Sequence, residues 1–494
     1  MTRSPDTSQL KQLTAGSVKW NFVDKVAQQA LYALTGVVLA NLLTDTDFGL
    51  IGAVLVFQAF ASLLVDSGFS YALLQRKRPS RLDYSTVLWF NLAVAMAIYI
   101  VLFFCAPLIS DLFQHDRRLI ALSRVMFLSF IFNAACIVQV NRLMKQMRVK
   151  TVALANSVGL FAGAVVGIAL AVAGYGAWAI VWQTIALNLV KCVVLWCVGR
   201  WLPLFRFSWA SLKSFFAVGS SMMATSFLNT LFQNIYSFFI GFRAGLAPLG
   251  YYTQADKWSK MGITTVQQTL TSAFLPTLSE IQDDPGRFAR ASSKMNRLTA
   301  YMLFPVMGFL AVMATQIFHC LFGTKWDMSV VLFQILLVRG VFTVLNAVYA
   351  NYAIALARTR LVFYLEVVRD AVALLLLAVT YPWIAADAPG NAVWGLEVLL
   401  WGQLAASFVT WVVTLLKTAP LTGRGAWAFV ADLTPYLALT CLCMAVMWAE
   451  SLVVSNAFVL LLLQGATGVA IYLGANFVFG SRIQSEALAS VFRR

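Results

Sequence analysis

Five basic side chains, Lys25, Lys257, Lys260, Arg339 and Arg369, stand inside stretches of sequence that are otherwise strongly apolar. An ammonium or guanidinium in such a setting is costly and normally faces a water-filled cavity or an anionic partner. The chemistry that suits a set of them is recognition of a phosphate or diphosphate, because charged N–H donors can replace the water shell of the anion. Acids occupy the same stretches: Asp24, Asp66, Asp256 and Glu366, with Asp370 and Glu397 nearby. A carboxyl group out of water can carry a proton, which makes the first four candidates for ion coupling. The competing reading is local neutralisation. Asp24 stands beside Lys25, Asp256 beside Lys257, and Glu366 within helical reach of Arg369. For Arg124, Lys191 and Arg243, close to the ends of apolar stretches, snorkelling to the interface is the simpler account.

Uncharged polar residues accompany these charges at helical spacing. One set is Asn21, Lys25, Gln28 and Tyr32, and a second is Gln58, Ser62 and Asp66. A third is Ser226, Asn229, Gln233, Tyr236 and Ser237; a fourth is Thr253, Lys257, Lys260, Thr264, Gln267 or Gln268, and Thr271. Steps of three and four put each set on one helical face. Such a face either lines a polar path or joins helices through interhelical hydrogen bonds. Hydrogen bonding alone would explain the Asn, Gln and Ser residues; it explains the three lysines less well.

The elements that position these faces follow from composition. Of 494 residues, 61% are hydrophobic and 11% charged, against about 45–50% and about 25% in soluble domains. A spanning helix needs about 20 mostly apolar residues. Fourteen such helices are expected, near 17–41, 48–67, 84–108, 119–141, 151–173, 177–199, 213–242, 249–275, 296–319, 328–353, 361–385, 392–416, 430–450 and 456–479. Spans one, eight and eleven are the most polar. With the N-terminus in the cytoplasm, 24 of the 36 Lys and Arg residues fall on the cytoplasmic side and only Arg117, Arg118, Arg243 and Lys325 on the other. This bias predicts both termini in the cytoplasm. Residues 1–16 are polar and lack the apolar core of a signal peptide, so they are expected to remain in the mature protein.

The formal charge of +16 invites a nucleic-acid reading, but the basic residues form short clusters between spans, as cytoplasmic loops do, and no nucleic acid is expected as partner. Seven cysteines lack metal-ligand spacing and are expected to be buried free thiols. The two histidines, His115 and His319, are far apart, so no metal is expected. No glycine loop for nucleotide phosphates occurs, and no cofactor is expected.

A weak internal repeat is visible. Asp47-Phe48-Gly49-Leu50 precedes span two, and Pro248-Leu249-Gly250-Tyr251 precedes span eight, 201 residues later. Leu112-Phe113 and Leu321-Phe322 close spans three and nine; Trp182-Gln183 and Trp401-Gly402-Gln403 lie in spans six and twelve. Six helices thus map onto six, as two parallel repeats. The expected layout is a cytoplasmic segment 1–16, an N-lobe 17–200, a linker 201–212, a C-lobe 213–420, two further helices within 430–479 and a tail 480–494. Transporters are commonly built from such repeats, with the substrate between them.

Several motifs resemble a known family. Asn41-Leu42-Leu43-Thr44-Asp45-Thr46-Asp47-Phe48-Gly49-Leu50, Asp66-Ser67-Gly68-Phe69 and Ala72-Leu73-Leu74-Gln75-Arg76-Lys77 look like the N-terminal signature of polysaccharide-biosynthesis (Wzx-type) flippases. Leu249-Gly250-Tyr251-Tyr252-Thr253-Gln254-Ala255, Phe274-Leu275-Pro276-Thr277-Leu278-Ser279 and Leu321-Phe322-Gly323-Thr324-Lys325-Trp326 extend the likeness. It covers about residues 15–420 and is strongest toward the colanic and teichuronic acid exporter branch of the multidrug/oligosaccharidyl-lipid/polysaccharide (MOP) superfamily. The resemblance implies an all-α fold of MATE-like lobes in a bacterial inner membrane. It also implies transfer of an undecaprenyl-diphosphate-linked oligosaccharide by alternating access, beside a polysaccharide polymerase and chain-length machinery. In that superfamily spans one, two, seven and eight line the central cleft, and these carry the four polar faces. Two alternatives stay open: a MATE-like multidrug antiporter, and a membrane glycosyl polymerase or ligase. Cleft lysines speak against the first, and short non-cytoplasmic connections such as 42–47, 174–176 and 386–391 against the second.

Overall fold

The computed structural model describes residues 25, 27–66, 68–76, 79–385, 393–481 and 483–485; Asn21 and Asp24 lie outside them. Among the described residues there is no strand. A helix α1 runs through residues 27–42. It is followed by α2 (Asp45–Asp66), α3 (Phe69–Gln75), α4 (Arg81–Leu112), α5 (Arg118–Met126), α6 (Ser129–Lys145), α7 (Val149–Val172), α8 (Trp178–Gly199) and α9 (Trp209–Arg243). Then come α10 (Leu246–Glu280), α11 (Pro285–Val312), α12 (Ala314–Phe322), α13 (Asp327–Ala355), α14 (Thr359–Thr380), α15 (Trp394–Thr418), α16 (Ala426–Glu450) and α17 (Ala457–Val478).

Ten helical stretches among the described residues are long and apolar enough to cross a membrane, and the chain is a multi-pass membrane protein. Their outer faces present Phe104, Phe161, Val172 and Leu462, each at least 60% exposed; in hydrocarbon such exposure costs nothing. Helices α9, α10 and α14 are as long, at 35, 35 and 22 residues, but are not among the ten. Polar residues interrupt each of them.

The chain forms two compact units, Met1–Gly250 and Tyr251–Arg494. The boundary differs from the linker at 201–212 that the repeat suggests. Helix α9 packs with the first unit: Phe227 meets Phe60 of α2 at 5.5 Å, and Phe216 meets Phe69 of α3 at 6.5 Å between ring centroids. The linker is tied down too. Arg81 of α4 donates to the Leu202 carbonyl at 2.9 Å, Leu204 N–H donates to Ser85 Oγ at 2.8 Å, and Trp89 Nε1 donates to the Leu204 carbonyl at 2.9 Å.

Basic residues in this unit also satisfy helix ends. Helix C-termini leave carbonyls without partners, and a cation there is favoured by the dipole as well. Lys145 donates to the Leu73, Leu74 and Arg76 carbonyls behind α3, and Arg142 donates to the Gly199 carbonyl at the end of α8. At the opposite kind of terminus, Ser80 and Asp83 close a reciprocal capping box at the start of α4. In the turn before α5, a bond from Arg118 holds the Asp116 carboxyl below the ordinary carboxylate range. Helices α7 and α8 approach closely because Gly159, Gly163 and Gly167 put hydrogen atoms where side chains would meet Leu187 and Gln183, a small-residue seam of the kind that joins membrane helices.

One contact within the first unit is reciprocal. A Cβ on Gly49 would lie 1.8 Å from the Leu246 carbonyl oxygen, and a Cβ on Gly250 would lie 2.0 Å from the Asp45 carbonyl oxygen. Gly49 and Gly250 are 201 residues apart, and so are Asp45 and Leu246. The first turns of α2 and α10 therefore cross backbone to backbone, each glycine on its counterpart's first turn.

In the second unit, α11 packs on α13 and α16, α13 on α15, and α16 on α17. Its interior carries a polar chain: Tyr349 Oη donates to Asn296 Oδ1 at 2.9 Å, and Asn296 Nδ2 donates to the Phe429 carbonyl at 2.9 Å. Asp432 sits at the start of α16 with its side chain 3% exposed. It accepts from Arg424 at 2.6 Å, Arg297 at 2.7 Å and Ser293 at 2.9 Å.

Cysteine placement corrects the expectation of buried thiols. All seven are free, but only Cys136 and Cys443 are buried, while Cys197, Cys320 and Cys441 are exposed. In a membrane an apolar position need not be an interior one, and hydropathy does not distinguish the two.

Candidate functional site

The residues singled out by type and spacing fall on six helices. In the first unit, Lys25 and Tyr32 are exposed and Gln28 is half-buried, on and just before α1. On α2, Gln58 and Ser62 are half-buried, and Gln58 Oε1 has no hydrogen-bond partner among the described residues although it is closed from solvent. Asp66, at the end of α2, accepts from Ser70 Oγ at 2.5 Å, and Asn141 of α6 donates to the same hydroxyl at 2.8 Å. On α9, Asn229 is half-buried and Gln233 exposed.

In the second unit, α10 carries the densest set. Lys257 is half-buried, its ammonium 5.4 Å from the Trp258 ring centroid. Lys260, Thr264 and Gln268 are exposed, one above another at four-residue steps. Asp256 binds Lys260 at 2.6 Å. The sequence pairs Asp256 with its neighbour Lys257, but adjacent residues diverge on a helix whereas those four apart meet. The ion pair therefore engages Lys260. Two buried polar atoms of this helix, Gln254 Oε1 and Trp258 Nε1, have no partner among the described residues. Gln254 is 2% exposed and was not singled out by sequence, since an isolated Gln off the stripe gives no periodic signal.

Arg339, on α13, is half-buried. Arg369, on α14, is held between two acids, 3.0 Å from Glu366 Oε2 and 3.0 Å from Asp370 Oδ1. Glu366 is thus engaged by a guanidinium. Among the described residues no group of three His, Cys, Asp or Glu side chains could hold a metal ion. The arrangement supplies cations, hydroxyls and amides on helical faces.

Long apolar helices with charged and amide side chains on selected faces define a multi-pass membrane protein. The fold is shared with the lipid II flippase MurJ in an inward closed conformation, at a TM-score of 0.73 and 14% identity, covering 96% of this chain and 100% of that one. The chain belongs to the polysaccharide biosynthesis protein family, whose sequence profile it matches over residues 38–331. Among its relatives is the succinoglycan biosynthesis transport protein ExoT of Rhizobium meliloti (strain 1021), 25% identical over 85% of this chain and 81% of that protein. Another is the teichuronic acid biosynthesis protein TuaB of Bacillus subtilis (strain 168), 25% identical over 72% of this chain and 73% of that protein.

Proposed function

We propose that this chain is a flippase that carries undecaprenyl-diphosphate-linked oligosaccharide units across the bacterial inner membrane by alternating access, for export of a surface polysaccharide. The observation that carries this reading is the family match over residues 38–331, joined to relatives that serve polysaccharide biosynthesis and transport over most of their length. A headgroup with a diphosphate cannot cross hydrocarbon bare, and a path lined by cations and hydrogen-bonding groups removes that barrier.

Within this reading the helices form fourteen spans, two parallel six-helix repeats followed by α16 and α17, with both termini in the cytoplasm. The reciprocal Gly49 and Gly250 contacts support the repeat, because two-fold related copies touch in this isologous way. Lys25, Lys257, Lys260, Arg339 and Arg369 are the headgroup-binding residues in this reading, with Lys260 and Arg369 also held by acids. Asn21, Gln28, Tyr32, Gln58, Ser62, Asn229, Gln233, Thr264 and Gln268 line the path, and Asp24, Asp66, Asp256 and Glu366 are the groups for ion coupling. The substrate is handed on to polymerase and chain-length machinery.

The test is a deletion strain complemented by the gene. Loss of the protein should leave lipid-linked repeat units accumulating on the cytoplasmic leaflet and abolish the surface polysaccharide. Normal polysaccharide in the deletion strain, with no accumulation, would overturn the proposal.

A further inference from the structure

Away from those faces, the second unit contains a cavity of ≈ 1000 Å³ between α11, α16 and the end of α17. One wall is basic, with Arg290, Lys294 and Arg297 on successive turns of α11. The opposite wall is apolar and aromatic, with Tyr436 and Leu442 of α16. Leu442 is 59% exposed, so this wall runs out onto the surface that hydrocarbon covers. At the floor, Ser481 Oγ is closed from solvent and has no hydrogen-bond partner among the described residues.

Among the described residues no acid lines the cavity. Asp432, which Arg297 binds, is shared with Arg424, so two guanidiniums already face its single negative charge. Arg290 makes no ion pair or hydrogen bond among the described residues. A cavity with cations along one side, a donor at its floor and an apolar wall open to lipid matches one kind of occupant: an amphiphile with a phosphate at its head. Basic pockets between membrane helices on the cytoplasmic side hold anionic lipid headgroups for this reason.

We infer that this cavity is a binding site for an anionic glycerophospholipid of the cytoplasmic leaflet, with the phosphate between Arg290 and Lys294, Ser481 donating to it, and an acyl chain along Tyr436 and Leu442. The site is separate from the proposed transport path. The inference draws on the proposed orientation, which puts this end of α11 in the cytoplasm, and not on the flipping activity.

Purified full-length protein in nanodiscs of phosphatidylcholine is compared with nanodiscs in which phosphatidylglycerol replaces a fraction of it, reading the unfolding temperature and, by native mass spectrometry, the lipids retained. Wild type should unfold at a higher temperature with phosphatidylglycerol and retain it preferentially. The Arg290→Gln/Lys294→Gln variant should match wild type in phosphatidylcholine alone but lose most of the increment. Affinity should fall about thirtyfold, which is ~2 kcal/mol at 1.4 kcal/mol per tenfold, from about 1 kcal/mol per cation near an anionic lipid surface. Arg290→Lys/Lys294→Arg should retain the effect. Equal increments in wild type and the Gln variant, or no lipid preference in wild type, overturn the assignment. Stabilisation by undecaprenyl diphosphate but not by phosphatidylglycerol overturns it in favour of a substrate headgroup. Reproduction of the increment by millimolar inorganic phosphate in phosphatidylcholine overturns the lipid requirement. A chain that failed the deletion test would still give the expected lipid result, so the two proposals fail separately.

Discussion

Substitution of Gly49 by Ala places a methyl carbon 1.8 Å from the Leu246 carbonyl oxygen, and Gly250→Ala places one 2.0 Å from that of Asp45. A carbon and a carbonyl oxygen settle at about 3.3–3.6 Å, so the first change requires the helices to part by about 1.5 Å and the second by about 1.3 Å. The obstacle is backbone on both sides and cannot rotate away. Overpacking of this kind costs about 1–3 kcal/mol. For a unit of about 250 residues that lowers Tm by roughly 2–4 °C per kcal/mol. The reciprocity makes the pair more informative than either change alone. Once the first turns of α2 and α10 have separated for one methyl group, the other is already largely accommodated. The double variant should therefore lose less than the sum of the singles, by at least about 0.5 kcal/mol, the size of coupling seen between residues in contact. The assay is thermal unfolding of purified protein in one detergent, with all four members of the cycle measured together. Strict additivity would refute the reciprocal crossing. Single variants as stable as wild type would refute the close approach itself.

Further outcomes follow from the charged side chains. Lys257→Ala should abolish surface polysaccharide while Lys257→Arg retains part of it, at equal protein levels; full activity of Lys257→Ala would remove this residue from the path. Asp256→Asn/Lys260→Gln should restore the folding that Asp256→Asn alone loses, since no uncompensated charge remains, but not export, because Asp256 serves in ion coupling; full export by the double variant would remove both residues from the path. Asp432→Asn leaves Arg424 and Arg297 facing each other without an acid and should cost roughly 2–4 kcal/mol, below the upper range for a buried pair because Arg297 is half in solvent; an unchanged Tm would contradict the hub. Reporter fusions after residues 79 and 494 should both give cytoplasmic signals, and a periplasmic signal from either would break the fourteen-span arrangement.

Hydropathy located the helices because a spanning segment must be apolar along its length, and ten satisfy that rule in the structure. It says less about α10 and α14, whose polar residues dilute the average. There the 3–4 spacing was the better guide, and Lys260, Thr264 and Gln268 do share one exposed face. Pairings were legible only where geometry is local: Glu366 with Arg369 follows from helical reach, and the same reach brings Asp256 to Lys260, which the sequence reading passed over. The Asp432 hub was invisible for a different reason. Ser293 and Arg297 are 139 and 135 residues away along the chain, and no periodicity links positions joined only by the packing of α11 on α16. The attachment of α9 to α2 and α3 was likewise illegible, because it depends on rings meeting across helices.

The position of Arg424 bears on how the protein is made. Asp432 enters the membrane as part of α16, long after α11 has been synthesised, and a lone carboxylate in a nascent span opposes insertion by about 3 kcal/mol at the centre of the bilayer and less toward its edge. Arg424 is only eight residues upstream and binds Asp432 at 2.6 Å, so the emerging hairpin carries its own counter-ion before it meets anything else. Arg297, delivered earlier on another helix, is then needed for docking and not for insertion. An Arg424→Gln chain should consequently be lost during synthesis, as reduced membrane integration, whereas an Arg297→Gln chain should integrate normally and be lost later, as a loosened α11–α16 contact in the finished protein.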